Sequence, residues 1–573
     1  MDVMQSYKKW LENFKDDAAL VEELNSIADD PKEIEDRFYQ ELSFGTAGMR
    51  GVMGYGTNRM NDYNVRRATA GFAEFLKSSD PDSSKRGVVI GYDSRINSAE
   101  YAKQTALVLC ARGIKAYLFE SLRPVPVLSY AVRHLNCSAG VAITASHNPK
   151  AYNGYKVYGE DGAQLGPEAA ALVTKAIQET QYKDAVAMPE DEALEKGLLK
   201  YIGEDEVDRD YIDMVLSLQV REGLLKKLGS ELSIVYTPLH GSGNVPVRRV
   251  LREAGIKNVT VVEEQENPDG NFPTVTAPNP EDPAAFELAI PLAEKVGATV
   301  IIGTDPDCDR MGLCVRDGSG VYRTLNGNQI AALLLHHILS SLKKSDKLPK
   351  NGAACKSIVS TQLAKSICDA YGVSLFDTLT GFKFIGEKIQ EFEDNMSHTF
   401  LFGFEESYGY LSSTAVRDKD AVNASLLAAE AACACMEKGI TLYEQLINIY
   451  EEYGYWAEKT ISVTLPGKDG QAKIASIMDN LRKNTPEKIG DYEVLALRDY
   501  QTGLRKEGEK QTPLGTTPSN VLYFELQGGH WVCVRPSGTE PKIKLYVNTC
   551  AKTQDEAQAL YDALLEASKQ MLK

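Results

Sequence analysis

An acidic run in the middle of the sequence has the residue types and the spacing of a metal site. Asp305, Asp307 and Asp309 alternate directly after the β-branched stretch 299–302. Three like charges at alternate positions repel one another unless a hard cation gathers them, and all-oxygen ligation suits Mg²⁺ or Mn²⁺. A solvated acidic turn is the plainer alternative. An EF-hand calcium loop fits poorly, because Arg310 stands where that loop needs glycine.

A serine follows another strand-like run. Ser146 lies in the segment 144–149, directly after the small and β-branched residues 140–143. A serine that leaves a buried strand into a turn is presented at a sheet edge, where it can act as a nucleophile or carry a phosphoryl group. An ordinary Ser/Asn/Pro turn is the alternative. Ser146 and His147 do not make a convincing Ser-His-Asp arrangement, since adjacent side chains usually diverge and no GxSxG elbow is present.

Two further loops carry groups that bind sugars and phosphates. In the segment 402–410, Glu405 and Ser407 have the spacing to bracket vicinal hydroxyls, although plain turns have the same composition. In the segment 535–541, one arginine, two hydroxyls and a glycine form a group of donors suited to a phosphate dianion, with a capped turn as the alternative. A glycine-rich basic loop at 44–51 has a similar composition, and neither a Walker A sequence nor GxGxxG occurs.

The composition limits the classes of partner. The 573 residues carry 63 Lys and Arg against 80 Asp and Glu, a net charge of −17, which repels nucleic acids and anionic membranes. No stretch approaches the roughly 18 consecutive apolar residues of a membrane span. The ten cysteines form no CxxC pair, which predicts reduced thiols. We therefore expect a cytoplasmic protein with no nucleic-acid or membrane partner.

The elements that must position these loops alternate between short β-rich runs and longer helical stretches, as in α/β layering. Strand-loop-helix blocks recur three times and predict three similar units, followed by a smaller α+β domain. Helices are expected at 98–112, 167–180, 284–296, 327–342, 421–437 and 554–571, and a strand at 357–361. The predicted domains are 1–210 with the serine loop, 211–320 with the acidic run, 321–454 with the sugar-type loop and 455–573 with the phosphate-type loop.

In combination and order, the five loops resemble those of the α-D-phosphohexomutase family, and most closely its phosphoglucomutases. The resemblance extends from about residue 40 to the end. It implies an α/β fold of three similar domains with mixed sheets and a smaller C-terminal α+β domain, arranged around a central cleft. Ala47 stands where many relatives carry serine, which removes one hydroxyl donor from the first loop.

The resemblance also implies roles for individual residues. Ser146 would be a phosphoserine and, with the three aspartates, a ligand of one Mg²⁺ per active site. The residues at the reacting groups would be Ser146, His147, Lys156, Lys419 and Arg50, with the general base unassigned. The substrate-binding residues would be Arg310, Thr380, Glu405, Ser407, Arg535, Ser537, Gly538 and Thr539.

The implied activity is the interconversion of glucose 1-phosphate and glucose 6-phosphate through glucose 1,6-bisphosphate, which is both intermediate and activator. The implied partners are small sugar phosphates, and the chain is expected to be a monomer or homodimer. Three alternatives stay open: a pentose or mannose phosphate as substrate, synthesis of glucose 1,6-bisphosphate from a separate donor, and a non-catalytic sugar-phosphate sensor. The intact Ser146, aspartates and Lys419 argue against the sensor.

Overall fold

The computed structural model describes residues 2–45, 48–465, 468–536 and 542–572. Of the positions discussed above, Ala47, Ser537, Gly538 and Thr539 lie outside the described residues. The structure contains four sheets, one in each of the ranges predicted as domains, with a single strand of the second sheet lying beyond the predicted boundary at 320.

The first unit begins with three helices that pack around Trp10, whose ring meets four other aromatic rings edge-on. A six-stranded sheet follows, in the order β1-β5-β4-β2-β3-β6, with parallel pairing except on both sides of β5. The strands are β1 (Met49–Val52), β2 (Val88–Tyr92), β3 (Ala116–Phe119), β4 (Ala139–Ile143), β5 (Tyr152–Tyr158) and β6 (Leu199–Ile202). The helices are α1 (Val3–Asn13), α2 (Ala18–Ser26), α3 (Pro31–Phe38), α4 (Asp62–Ser79), α5 (Ser83–Arg86), α6 (Ser98–Ala111), α7 (Val125–His134), α8 (Pro167–Glu179) and α9 (Glu190–Glu195).

The second unit has a five-stranded sheet in the order β11-β10-β9-β7-β8. Its strands are β7 (Ser233–Thr237), β8 (Asn258–Val261), β9 (Val300–Thr304), β10 (Met311–Arg316) and β11 (Tyr322–Leu325). Its helices are α10 (Arg209–Ser217), α11 (Leu224–Leu228), α12 (Asn244–Ala254), α13 (Glu263–Glu266) and α14 (Ala289–Val296). The helix predicted at 284–296 is divided, because a 3₁₀ turn over Pro283–Phe286 precedes α14.

The third unit has four strands in the order β13-β12-β14-β15. They are β12 (Gly352–Ser357), β13 (Ser374–Thr378), β14 (Thr399–Glu405) and β15 (Gly409–Leu411). The helices are α15 (Gly327–Lys344), α16 (Leu363–Tyr371), α17 (Phe382–Asn395), α18 (Ala421–Glu437) and α19 (Leu442–Tyr453). The strand predicted at 357–361 is wrong, because the strand ends at Ser357 and the chain then turns so that the Ser357 and Ser360 hydroxyls donate to Glu406.

The fourth unit is an antiparallel sheet in the order β16-β23-β22-β21-β18-β19-β20, with β17 beside β18. Its strands are β16 (Tyr455–Thr464), β17 (Lys488–Ile489), β18 (Tyr492–Asp499), β19 (Leu504–Glu507), β20 (Lys510–Pro513), β21 (Leu522–Leu526), β22 (Trp531–Pro536) and β23 (Lys542–Ala551). Its helices are α20 (Lys468–Lys483) and α21 (Gln554–Gln570). The mixed sheets of the first three units and the different C-terminal sheet confirm the predicted fold class.

The central strands of the first two sheets are buried along their length except at Tyr92, the last residue of β2, which explains their runs of Val, Ile, Ala and Gly. The largest apolar cluster is continuous across the first three units, so these sheets are packed together through their helices. None of the described helices combines the length and the hydropathy that a membrane span needs.

Candidate active site

The serine loop and the acidic loop meet where two buried strands end. β4 ends at Ile143 and β9 at Thr304, and each chain then makes a tight turn in which Ser146 (φ 52°) and Cys308 (φ 51°) adopt left-handed backbone conformations. Such conformations are unusual for residues other than glycine and persist only where the surroundings hold them. Both predicted loops therefore belong to one structured site.

Ser146 lies against the first aspartate. Its Oγ donates a hydrogen bond of 2.8 Å to Oδ2 of Asp305 and lies 3.1 Å from Nδ1 of His147. The Ser146 amide donates to Oγ1 of Thr144 at 2.8 Å, and that hydroxyl in turn donates to Asp93. The serine is 3% exposed, so its hydroxyl is fixed rather than free in solvent.

The three aspartates form a compact anionic group. All three are buried, and one carboxylate oxygen of each lies within 4.8 Å of the others. Among the described residues, Oδ1 of Asp307 and Oδ1 of Asp309 have no hydrogen-bond partner although both are buried. Buried carboxylate oxygens without donors are costly unless a cation takes them. The triad can therefore hold a metal ion, and its all-oxygen donor set fits a hard divalent cation.

The pKa shifts of the three aspartates also favour the binding of a cation. Burial, and then repulsion from Asp307 and Asp309, hold the pKa of Asp305 well above its usual range. Burial also opposes ionisation of Asp307, but the charge of Lys156 and the hydrogen bonds with Asp305 and Lys156 together outweigh it, so the pKa of Asp307 lies below its usual range. The protein alone thus leaves part of the triad's charge uncompensated, which is the condition under which a cation binds.

Two lysines predicted at the reacting groups contact the triad directly. Nζ of Lys156 lies 2.8 Å from Oδ2 of Asp307 and 3.7 Å from Oδ2 of Asp309. Nζ of Lys419 lies 3.0 Å from Oδ2 of Asp309 and 3.0 Å from Oδ1 of Asp418. Burial disfavours the charge on Lys419, yet Asp309 and Asp418 raise its pKa above the usual value. Lys419 is therefore an ammonium group that joins the third unit to the second.

Two arginines flank the same loops. Arg310 forms an ion pair with Glu281, and its Nε lies 3.8 Å from Oδ1 of Asp309. Nη1 of Arg50 donates to Oδ1 of Asn148 at 3.1 Å, which places the predicted basic loop beside the serine loop. Burial, and then the charges of Arg310 and Arg50, hold the pKa of His147 well below its usual value.

The sugar-type loop is a tight turn between two strands, which is shorter than the predicted loop at 402–410. Glu405 ends β14, and its Oε1 accepts a 2.7 Å hydrogen bond from the amide of Gly381, the residue after Thr380. Burial, and then the charge of Glu406, raise the pKa of Glu405. Ser407 is half-buried in the turn. Thr380, Glu405 and Ser407 therefore lie in adjoining turns at one edge of the sheet.

The acidic loop and the sugar-type loop are joined by backbone hydrogen bonding. The amide of Met311 donates to the carbonyl of Tyr408 at 3.0 Å, and a bridge pairs Arg310 with Gly409. The predicted metal site and the predicted sugar site therefore share a wall.

At the fourth loop, the structure describes the strand ends but not the turn between them. Arg535 on β22 stands directly opposite Lys544 on β23. Burial, and then Arg535, lower the pKa of Lys544. Two like charges directly opposite each other destabilise a sheet unless an anion lies between them. Lys544 was missed from the sequence, although its position two residues after Lys542 in a strand is a usable signal.

Other residues at the site also lacked a sequence signal. Arg95, Glu281 and Asp418 each contact a predicted site residue and come from three separate parts of the chain, and Asp93, two residues before Arg95, accepts from Thr144 in the serine loop. Single buried charges of this kind are recognisable only once the loops are placed together.

Comparison with known proteins agrees with this arrangement. Four models of the phosphoglucomutase/phosphomannomutase family match the chain in order: α/β/α domain I at residues 41–184, domain II at 209–318, domain III at 326–453 and the C-terminal domain at 474–567. A phosphoglucomutase of Staphylococcus epidermidis is 39% identical over 529 residues, which cover 92% of this chain and 94% of that protein. A phosphoglucomutase of Staphylococcus aureus is 39% identical over 528 residues, covering 91% and 92%.

Solved structures share the fold at lower identity. The Paramecium phosphoglucomutase pp63/parafusin, in its open form, superposes with a TM-score of 0.70 at 18% identity, covering 93% of this chain and 95% of that one. A phosphoglucomutase/phosphomannomutase family protein from Burkholderia thailandensis gives 0.65 at 17% identity, covering 92% and 97%. The fold and the site define a phosphohexomutase, an isomerase. The chain belongs to the phosphoglucomutase/phosphomannomutase family, which confirms the resemblance seen in the sequence.

Proposed function

We propose that the protein interconverts glucose 1-phosphate and glucose 6-phosphate, with Ser146 as the phosphoryl carrier and glucose 1,6-bisphosphate as the intermediate. The observation that carries the proposal is the 2.8 Å contact between Oγ of Ser146 and Asp305 within a buried aspartate triad. Transfer to and from a serine needs its oxygen beside a concentrated positive charge. A triad that can hold Mg²⁺, with two lysines against it, supplies that setting.

In the proposed cycle, the bond between Oγ of Ser146 and phosphorus breaks as the C6 hydroxyl of glucose 1-phosphate attacks. The C6 hydroxyl gives up its proton, Oγ of Ser146 takes one up, and the product of this step is glucose 1,6-bisphosphate. The bisphosphate turns around in the cleft, its C1 phosphate returns to Oγ of Ser146, and glucose 6-phosphate leaves. Atoms balance over the two transfers, so no other phosphoryl donor is consumed.

Asp305, Asp307 and Asp309 would hold one Mg²⁺ together with the phosphate on Ser146, and the ion offsets charge on the transferring phosphoryl oxygens when bound. Lys156 and Lys419 contact Asp307 and Asp309 and offset part of the negative charge of the triad. Arg310, whose guanidinium pairs with Glu281, would face the transferring group.

The sugar would be read by groups on the third and fourth units. Glu405 and Ser407 bracket two hydroxyls, with Thr380 beside them. Arg535 would hold the phosphate that is not being transferred, together with Ser537, Gly538 and Thr539, and Lys544 stands directly across from it. Because the sugar hydroxyls and the phosphate that is not transferred would be bound by separate groups, one site could accept the monophosphates and the reoriented bisphosphate. We keep the expectation of a monomer or homodimer.

The test is a coupled assay with glucose 1-phosphate, mannose 1-phosphate and ribose 1-phosphate side by side, primed with glucose 1,6-bisphosphate. We expect glucose 1-phosphate to be preferred, and Ser146→Ala to retain less than about a hundredth of the rate, because it removes the covalent carrier. Intact-mass analysis should find one phosphate on the wild-type protein that Ser146→Ala lacks.

The alternatives give different results in the same experiment. Faster turnover of mannose or ribose 1-phosphate would replace glucose as the substrate while leaving the mechanism in place. Net accumulation of glucose 1,6-bisphosphate from a separate donor would indicate a synthase. Binding of sugar phosphates without turnover or phosphorylation of Ser146 would identify a sensor and overturn the proposal.

A further inference from the structure

The turn that presents Ser146 is held from beneath by a buried arginine. Arg95 follows β2, and its side chain is completely buried. Its Nη2 donates to the carbonyl of Ser146 at 2.6 Å and also to that of Asn148. Its Nη1 donates to the carbonyls of Pro149 at 3.1 Å and Tyr152 at 3.0 Å. One guanidinium therefore ties together four carbonyl groups over seven consecutive positions.

These bonds fix a conformation that the chain would otherwise leave. Ser146 has a φ of 52°, which an L-residue with a side chain adopts only at a cost. The forked guanidinium can collect several carbonyls at once, whereas an ammonium group cannot match that geometry. The position of Oγ of Ser146 thus depends on where Arg95 lies.

Arg95 is in turn covered by an aromatic ring from the second unit. Its guanidinium carbon lies 5.1 Å from the ring centre of Phe272, within the range of a cation–π contact. Phe272 is 2% exposed and itself has a φ of 44°. The segment that carries Phe272 approaches the backbone after Arg95 closely, because a Cβ on Gly270 would stand 2.4 Å from the amide nitrogen of Ile96. The segment therefore runs directly against the backbone beside Arg95.

A histidine braces this segment from its own domain. His240 Nδ1 lies 3.1 Å from the carbonyl of Asn267, and its Nε2 lies 3.0 Å from Oγ1 of Thr274. The His240 ring also meets the ring of Phe272 edge-on, at 6.3 Å between centroids. Phe272 is thus a fixed part of the second unit.

We propose that Phe272 is a positioning residue that acts through Arg95 to set Ser146 at the aspartate triad. Phe272 and Asp305 belong to the second unit, whereas Arg95 and Ser146 belong to the first. A ring of the second unit that fixes Arg95 therefore fixes the serine against that unit's own carboxylates. The inference rests on the proposed function only in taking Ser146 as the phosphoryl carrier.

The test is a double-mutant cycle on the full chain. Phe272→Leu keeps an apolar side chain but removes the aromatic face, and Arg95→Lys keeps the charge but removes the fork. We expect each to lower kcat by about tenfold or more with KM changed less than about threefold, since the loss is one of alignment. If Phe272 acts through Arg95, the double variant is no slower than Arg95→Lys alone.

A second readout does not require turnover. Amide hydrogen exchange at residues 145–152 should speed up in Phe272→Leu and in Arg95→Lys. The matched control is Phe72→Leu, which trims an equally buried phenylalanine on α4 of the first unit. It should lose similar stability, leave exchange at 145–152 unchanged, and combine additively with Arg95→Lys.

Additive rate losses for Phe272→Leu and Arg95→Lys, or unchanged exchange at 145–152 in a folded Phe272→Leu protein, would overturn the inference. If Phe272→Leu does not fold, Phe272→Met takes its place in both measurements, and unchanged exchange at 145–152 in folded Phe272→Met overturns the inference. A wild-type protein without mutase activity would refute the proposed function, while the exchange measurement would still decide whether Phe272 and Arg95 hold the loop.

Discussion

Gly409 lies so close to Lys419 that a Cβ added to the glycine would stand 2.1 Å from Cδ and 2.5 Å from Cγ of that lysine. Lys419 is buried and its Nζ is held by Asp309 and Asp418. The side chain of Lys419 therefore passes directly along Gly409 to reach the aspartate triad.

Gly409→Ala should consequently displace Lys419 from Asp309. We expect kcat to fall by about tenfold or more, because a shift of this size at a reacting group is costly, and overpacking to cost about 1–3 kcal/mol of stability. Steady-state kinetics and thermal unfolding measure the two effects. Gly166→Ala is the control, since a Cβ there meets only Glu387 Oε1 at an ordinary 3.5 Å. Full activity in a folded Gly409→Ala protein would contradict the expected displacement of Lys419 from a reacting group.

The metal site makes a prediction of its own. Asp307→Asn removes one of three anionic ligands while keeping the size of the side chain, so Mg²⁺ should bind at least about tenfold more weakly. Calorimetric titration of Mg²⁺ into the purified protein measures this without turnover. Asp369→Asn, on the exposed face of α16 where the carboxylate pairs with Lys365, should bind Mg²⁺ as the wild type does. Equal affinity in the two variants would place the ion elsewhere.

The sequence indicated which loops come together better than it indicated the elements around them, for physical reasons. Ser146, Asp305, Asp307 and Asp309 could be found because each loop follows a run of buried strand residues, and strand ends present side chains at a sheet edge. The three N-terminal helices were not predicted, since their apolar residues serve a local aromatic cluster around Trp10 rather than a repeated block. The domain ranges and the roles of the site residues stay predictions.

The wrongly predicted strand at 357–361 and the unpredicted role of Arg95 have the same physical cause, which is hydrogen bonding to distant residues. Residues 357–361 read as a strand, yet Ser357 and Ser360 turn toward Glu406, a partner 46 to 49 positions later that no local pattern shows. The same holds for Arg95, whose acceptors lie more than 50 residues away. Long-range polar pairing decides these positions, whereas periodicity reports only burial.

The phosphate end of the cleft predicts a difference between binding and catalysis. If Arg535 holds the phosphate that is not being transferred, its contact exists for the monophosphate and the bisphosphate alike. Arg535→Lys keeps the charge and loses the fork, so KM for glucose 1-phosphate should rise by roughly tenfold, about 1.4 kcal/mol, with a smaller fall in kcat.

Replacing Lys544 should change KM in the same direction as replacing Arg535. Lys544→Met removes the second cation, so KM should rise, while stability should increase or stay constant because the repulsion from Arg535 is relieved. Lys510→Met, in the exposed hairpin of the same domain, is the control. An unchanged KM in both Arg535→Lys and Lys544→Met would show that the phosphate is held elsewhere, with Arg50 the first residue to test.

The junction between the third and fourth units should respond to pH through Glu458. This carboxylate on β16 accepts a 2.6 Å hydrogen bond from Nδ2 of Asn328, and burial raises its pKa to about 7. Because the folded-state pKa lies above the unfolded value, the folded protein binds more protons between the two pKa values. The stability contributed by protonated Glu458 is therefore present at low pH and is lost as the pH rises toward 7.

Glu458→Gln keeps the size of the side chain and cannot ionise, so its Tm should fall less than that of the wild type between about pH 5 and pH 8. Glu451→Gln, on the exposed part of α19, should follow the wild-type curve. Parallel curves for Glu458→Gln and the wild type would mean that Glu458 is ionised in the folded protein throughout this range.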